Sequence, residues 1–190
     1  MTSGHPPLSA DEGGPTSAFE HLWTPYRMAY IRGERKPTGD SDCPFCLIPA
    51  MSDEDGLVVA RGRTVFAVLN LYPYNAGHLM VVPYRHVPDY TDLTTAEVAE
   101  LGAFTQGAMR VVRAVSGAHG FNIGMNQGSV AGAGIADHLH QHAVPRWGGD
   151  TNFMPVIGLT RVLPQVLRET RALLAEAWQQ QDAVQPGGQS

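Results

Sequence analysis

The residues with the clearest chemical potential are the histidines of His138-Leu139-His140-Gln141-His142-Ala143-Val144. Side chains that recur at every second position share one face of a strand, whereas a helix would scatter them. The preceding Gly132 and Gly134 suit a loop, Val144 extends the strand and Pro145 is a natural place for ladder pairing to end. Successive imidazoles on such a strand are about 6.6 Å apart and the outer two roughly 13 Å apart. Because imidazole nitrogens sit about 2.0–2.1 Å from zinc, all three cannot share one ion, and at most two neighbours could. A row of three suits an extended polar ligand such as a phosphate chain, and neutral imidazole is a nucleophile at neutral pH. Spacing alone leaves open a mononuclear metal enzyme using two of the three, and a row of half-exposed histidines without chemistry.

The run His138-x-His140-x-His142-x-Val144 resembles the signature of the histidine-triad nucleotide-binding (HIT) family. The resemblance extends to Asn70, Asn75-Ala76-Gly77-His78 with the apolar run after it, Asn126-Gln127-Gly128 and Pro145-Arg146-Trp147, over roughly residues 43–150. It implies a HIT-like α+β fold and a homodimer. It also implies that His140 is the nucleophile, attacking the phosphate next to a nucleoside to give a nucleotidyl-histidine, with its other ring nitrogen held by the His138 carbonyl. His142, one strand repeat along, is placed to donate to the bridging or leaving oxygen. His78 matches the family's additional upstream histidine, which orients His142 or touches phosphate; as a bare sequence feature it could equally be a surface residue at a strand end. Asn70 resembles the residue that holds the ribose hydroxyls, and Asn126 is expected at phosphate. Gly132 and Gly134, in a glycine-rich loop without bulky side chains, would let backbone N–H groups approach phosphate oxygens.

The middle of the chain and the segment from Pro145 to Phe153 look most like the bacterial branch containing diadenosine tetraphosphate phosphorylases. The expected activity is therefore nucleotidyl transfer on dinucleoside polyphosphates with inorganic phosphate as acceptor. A nucleoside phosphoramidate hydrolase, or a nucleotide-binding module without significant turnover, is the alternative. Two departures stand out: Gln141 occupies a position that is usually apolar, and Gly134-Ile135-Ala136-Asp137 offers no hydroxyl before the triad.

The positioning elements can be read from patterning. Leu57–Arg61 and Thr64–Asn70 read as strands joined at Gly62, Tyr72–Gly77 as a turn, and His78–Val82 as a third strand before Pro83. Thr94 and Glu97 fit a capping box, followed at helical spacing by Val98, Leu101, Ala108, Val111 and Val115 until Gly117 supplies a stop. Phe121–Asn126 alternates like a strand, and Pro164 begins a second helix with Val166, Leu167, Leu173, Leu174 and Trp178 inward. The expectation is an antiparallel meander of about five strands with a long helix packed on it and a C-terminal helix, in one domain over residues 18–182. Residues 1–17 and 183–190, rich in small and polar residues, read as disordered tails, and the aromatic segment Leu22–Ile31 needs a surface to dock on.

Cys43 and Cys46 are the only cysteines, which excludes a secreted disulfide scaffold. The pair resembles the redox motif of glutaredoxins, but Gly39-Asp40-Ser41 before it and Pro49 after it do not suit a strand leading into a long helix, so metal binding or two plain thiols are left. Family relatives carrying both this pair and a histidine beyond the third strand imply one closed, structural zinc site of Cys43, Cys46, His86 and His138; two thiolates and two imidazoles are a suitable set. The 190 residues, 43% hydrophobic, with 13 basic and 18 acidic groups and a net charge of -5, suit one core and a small-molecule partner. The scattered basic residues argue against nucleic acid or a membrane face, and the absence of a spanning run or a signal-like start points to the cytoplasm.

Overall fold

The structure is a computed structural model that describes residues 43–149 and 164–184. Residues 1–17, Leu22–Ile31, residues 185–190 and Val166's side chain lie outside the described residues, while residues 183 and 184, read as the start of a disordered tail, are the last two of the C-terminal helix, which continues its backbone ladder through them. Helix α1 (Pro44–Leu47) runs into a 3-10 turn at Ile48–Ala50. Strands β1 (Val58–Arg61), β2 (Val65–Leu69) and β3 (Leu79–Pro83) follow, then helix α2 (Thr95–Ser116) and β4 (Gly120–Met125). Strand β5 (Gln141–Arg146) and helix α3 (Pro164–Val184) are the last of the described elements. All pairings are antiparallel, in the order β1-β2-β3-β5-β4. Only the first three strands form a meander: β5 inserts between β3 and β4, with Met80 opposite His142 on one side and Gly124 opposite it on the other.

Strands β2 and β3 are buried along their whole length, which explains their unbroken apolar sequences. Val65, Ala67, Leu69, Leu79 and Val81 face the helices and meet Leu101, Phe104, Ala108 and Val111 of α2 with Leu174 and Trp178 of α3. The alternate residues Phe66, Val68, Met80 and Val82 face the other way and pack with Cys43 and Phe45. The sheet therefore has a helix face and a face covered by α1, where the chemistry lies.

Helix α2 begins as its sequence requires. Thr94 caps the Glu97 N–H, and the Glu97 carboxylate returns to the Thr94 N–H at 2.7 Å. It ends at Gly117, whose φ of 64° lies in the left-handed region open to glycine. The buried stripe includes Phe104, Thr105 and Val112, whereas Val98 is half-buried and Val115 is exposed, because the inward face turns onto Val111 and Val112 in the last turns. On α3, Leu167, Leu174 and Trp178 point inward as expected, but Leu173 is exposed, about 100° round the helix from its neighbour Leu174. Gly107 lets the two helices approach: a Cβ there would lie 2.8 Å from the Trp178 ring.

The histidine segment is shorter as a strand than its spacing predicts. Regular pairing starts at Gln141, so His138 and His140 lie on the approach to β5. Leu139 N–H is taken by the Val87 carbonyl at 2.7 Å and His138 Nε2 by the Pro83 carbonyl at 2.9 Å, which draws this stretch away from the ladder. Pro145 does not end the strand; it pairs with Phe121 inside it. Its carbonyl points to the β3 side and accepts from Asn75 Nδ2, so the N–H that proline lacks would have faced a side where the β3 ladder has already stopped at Ala143.

Candidate active site

The segment from His138 to His142 serves two adjoining centres on the α1 face. In the first, the ligand atoms of Cys43, Cys46, His86 and His138 all lie within 4.8 Å of one another. Cys43 Sγ and Cys46 Sγ are 3.4 and 3.5 Å from His138 Nδ1, and Cys46 Sγ is 3.2 Å from His86 Nδ1. A tetrahedral ion with Zn–S of about 2.3 Å and Zn–N of about 2.0–2.1 Å has S···N edges of about 3.5 Å, so the donor set fits such an ion. Because a carbonyl can only accept, the Pro83 contact puts the His138 proton on Nε2 and leaves Nδ1 bare toward the thiols. The four-residue α1 is unlike the long helix of a redox pair.

The second centre is built on His140, His142 and His78. His140 Nδ1 donates to the His138 carbonyl at 2.8 Å, leaving Nε2 without a proton. Burial lowers the His140 pKa below the ordinary imidazole value, against the opposing pull of the carbonyl bond, so the ring is neutral at pH 7. His140 and His142 are edge to face with centroids 4.9 Å apart, closer than strand spacing gives because the rings lean together. His78 is wholly buried, which removes the surface alternative.

Hydrogen bonds at His78 fix the protons of this row. The Tyr74 backbone N–H, which can only donate, reaches His78 Nδ1 at 3.1 Å. A neutral His78 then carries its proton on Nε2 and gives it to His142 Nδ1 at 2.9 Å, leaving the His142 proton on Nε2. Tyr74 also stacks on His78, with centroids 4.9 Å apart and planes at 19°.

His140 and His142 open into a cavity of about 500 Å³ that also touches Asn70, Asn126, Gly132 and Gly134. Asn70, Asn126, Gly132 and Gly134 are thus brought to one cavity, whereas His78, expected either at phosphate or orienting His142, is wholly buried, bonds to His142 and does not line it. Asn70 is partly engaged within its turn, its Oδ1 accepting from Tyr72 N–H at 2.9 Å. Gly132 has a φ of 83°, so its loop needs glycine there. The apolar part of the wall, Phe45, Ile48, Met51 and Leu57, was not singled out from sequence. Phe45 lies 4.9 Å from the His140 ring, and its place between the two cysteines was the one available signal. Leu57 has a φ of 56°, costly for a branched side chain and held by the Leu69 N–H on its carbonyl.

Gln141 turns to the helix face, where its Nε2 donates to Thr105 Oγ1 at 2.7 Å, and this partner explains a polar residue at that position. No helix among the described residues is long and apolar enough to cross a membrane.

Comparison with known proteins agrees with this geometry. Residues 52–149 match the model of the HIT domain. An AP-4-A phosphorylase of Mycobacterium tuberculosis strain H37Rv is 57% identical over 173 residues, covering 88% of this chain and 89% of that protein. The crystal structure of a Zn-bound histidine triad family protein from Mycobacterium smegmatis superposes with a TM-score of 0.62 at 30% identity, over 77% of this chain and 99% of that one. The crystal structure of a hypothetical histidine triad nucleotide-binding protein from Sulfolobus tokodaii, at 24% identity, shares the fold with a TM-score of 0.63 over 74% of this chain and 94% of that one. With the domain match spanning more than half of the sequence and the tuberculosis relative spanning most of it, the chain belongs to the HIT domain family.

Proposed function

We propose that the protein is a nucleotidyltransferase that cleaves diadenosine tetraphosphate by phosphorolysis. The observation that carries the histidine chemistry is the bond from His140 Nδ1 to the His138 carbonyl, which leaves a neutral ring with a bare Nε2 facing the cavity. In the proposed first step Nε2 attacks the phosphorus next to one adenosine, forming a P–N bond while the bridging P–O bond breaks and ATP departs. His142 Nε2–H donates to that bridging oxygen as negative charge gathers on it. In the second step inorganic phosphate attacks the nucleotidyl-histidine, restores the ring and releases ADP. Phosphate rather than water as acceptor is supported by the likeness to the tuberculosis AP-4-A phosphorylase.

Asn70 is assigned to the ribose, Asn126 with the backbone near Gly132 and Gly134 to phosphate, and Phe45, Ile48 and Leu57 to the base. Cys43, Cys46, His86 and His138 would hold a zinc ion, which supplies a cross-link between α1 and the triad segment and no open position for substrate. Thiols in such a site suit a reducing compartment, and we place the protein in the cytoplasm. We also propose a homodimer: β4 is one of the two edge strands of the sheet, with β1 at the other edge, and carries Ile123, 47% exposed.

The test is incubation with diadenosine tetraphosphate over a range of phosphate concentrations, with products separated by chromatography. ADP and ATP in equal amounts, at a rate rising with phosphate, are expected, together with loss of turnover in His140→Ala. AMP and ATP, or two ADP, formed at a rate indifferent to phosphate would overturn phosphorolysis.

A further inference from the structure

Resting on the proposed cleavage of a dinucleoside polyphosphate, we infer that Arg146 and Asn122 bind the phosphate chain of the leaving nucleotide, at the far end of the sheet face that carries His140 and His142. Directly paired residues of antiparallel strands share a face, and so do alternate residues along each strand. Phe121 pairs with Pro145 and packs on the helix side, so Asn122, Val144 and Arg146 lie on the opposite face with His142. The rungs follow one another in order. Asn126, one residue past the Met125–Gln141 pair, is level with His140; Gly124 is opposite His142, Asn122 opposite Val144, and Arg146 comes last, opposite Gly120.

The residues assigned to substrate set the direction of the leaving group along this row. Leu57 and Asn70, given to the first nucleoside, adjoin β1 and β2 on one side of β5, whereas Asn126, given to phosphate, adjoins β4 on the other. The leaving oxygen is at His142, one rung beyond the phosphorus attacked by His140, and the rungs after it are those of Asn122 and Arg146. His142 and Arg146 are about 13 Å apart along the strand, a gap that the phosphates of departing ATP and a long arginine side chain bridge together. Among the described residues the path beside His142 is open: a Cβ on Gly124 would meet no atom within 4 Å, and Gly124 and Asn122 are both exposed.

The end of the row carries the donors that a phosphate chain needs. Arg146 Nη1 donates to Asn122 Oδ1 at 2.9 Å, which holds the guanidinium against β4. A guanidinium presents its N–H donors as a rigid planar fork that matches two oxygens of one phosphate, and a bond between such charged partners is about twice as strong as a neutral one. Asn122, its oxygen turned to Arg146, adds the donors of its Nδ2. A leaving group without a phosphate chain never reaches these rungs. The pair therefore selects for the phosphates of the leaving nucleotide and is indifferent to its base.

The experiment compares Arg146→Ala, Arg146→Lys and Asn122→Asp with the unaltered protein on two substrates: diadenosine tetraphosphate with phosphate, and adenosine 5′-phosphoramidate, whose leaving group is ammonia. Losing a charge-assisted bond to phosphate should lower kcat/KM for the tetraphosphate on the order of ten-fold in Arg146→Ala and leave the phosphoramidate within about two-fold. Arg146→Lys, which keeps the charge but not the fork, should fall between. Asn122→Asp still accepts from Arg146 Nη1, so a pair that only ties β4 to β5 would be unharmed, but its carboxylate repels a phosphate chain and should cost about as much as Arg146→Ala. Equal losses on both substrates, no loss in Arg146→Ala, or normal tetraphosphate cleavage by Asn122→Asp would each overturn the inference. Failure of the unaltered protein to cleave diadenosine tetraphosphate would overturn the underlying activity instead, so the two failures are distinguishable.

Discussion

Replacing His78 by Phe tests whether the proton order of the histidine row matters to the proposed reaction. The ring is wholly buried and stacks on Tyr74, so Phe keeps the aromatic volume while removing both ring nitrogens. The bonds lost include, first, the donation to His142 Nδ1, second, the acceptance from Tyr74 N–H and, third, the longer acceptance from Asn70 Nδ2 at 3.4 Å. The second loss leaves a backbone N–H in poor surroundings at a cost of about 1–3 kcal/mol, or roughly 2–10 °C in Tm for a chain of this size. The first frees His142 to carry its proton on Nδ1, and a ring so arranged has no Nε2–H for the leaving oxygen. General acid and hydrogen-bond donation of this kind contributes about 10²–10⁴ in rate, and a ring that still reaches the right tautomer part of the time keeps some of it. We expect kcat for diadenosine tetraphosphate to fall about 10- to 100-fold with KM little changed, measured by phosphorolysis below the Tm of the variant. An adenylyl ester of an acidic phenol, whose leaving oxygen needs less help, should lose distinctly less. Equal loss on both substrates, or full activity in the folded variant, would refute the proton order derived from the Tyr74 N–H.

Three further outcomes follow from packing and charge. Protein purified under reducing conditions should carry about one zinc per chain by elemental analysis; Cys43→Ser should lose it, with lower Tm and weaker nucleotide binding because Phe45 and Ile48 of the cavity wall flank the site. Hydrogen bonding to Arg85, helped by Thr94, lowers the Glu97 pKa to about 2. Since the folded value lies below the unfolded one of about 4.3, the stabilisation is present above pH 4.3 and is lost as pH falls towards 2. Glu97→Gln should be about 2 kcal/mol less stable at pH 7 by urea unfolding but show a flatter decline in acid. Gly107→Ala would press a Cβ to 2.8 Å from Trp178; overpacking of about 1–3 kcal/mol set against about 1 kcal/mol of helix propensity predicts a net loss of about 1 kcal/mol in thermal unfolding, with unchanged kcat.

What was legible in the sequence was local. Thr94, Glu97 and Gly117 marked the ends of α2 because caps are satisfied within a few residues. Alternation in Phe121–Met125 and the apolar runs of β2 and β3 marked strands for the same reason. The order β3-β5-β4 was not legible, since a pairing between segments some sixty residues apart leaves no trace in either one's periodicity. The true start of β5 was also hidden. It depends on Leu139 bonding to Val87 and His138 to Pro83, contacts made by residues that β3 and its following loop bring in from far along the chain. In the site, the histidine spacing gave the shared face of His140 and His142 and put Gln141 on the reverse face, but not the Thr105 hydroxyl that Gln141 meets there or the proton order imposed by the Tyr74 N–H. The cavity wall at Phe45, Ile48 and Leu57 was unreadable because short apolar segments look the same whether they fill a core or line a cleft.

His138 shows why the two centres are adjacent. Its three polar handles are committed separately: Nε2 donates to Pro83, Nδ1 faces the cysteine pair, and the backbone carbonyl accepts from His140. The first fixes the tautomer needed by the second, and the orientation of the residue fixes the third. If the cysteine pair and His86 release His138, its carbonyl is no longer held where His140 Nδ1 needs it, and the bare Nε2 becomes one of two tautomers instead of the one in place. Phe45, which joins the two cysteines and touches the rings of both His138 and His140, moves with the same event. A metal cross-link at this position would therefore act on the proposed nucleophile by geometry alone, without its ion touching substrate, and that would be sufficient reason for one residue of the triad to face away from the cavity that the other two line.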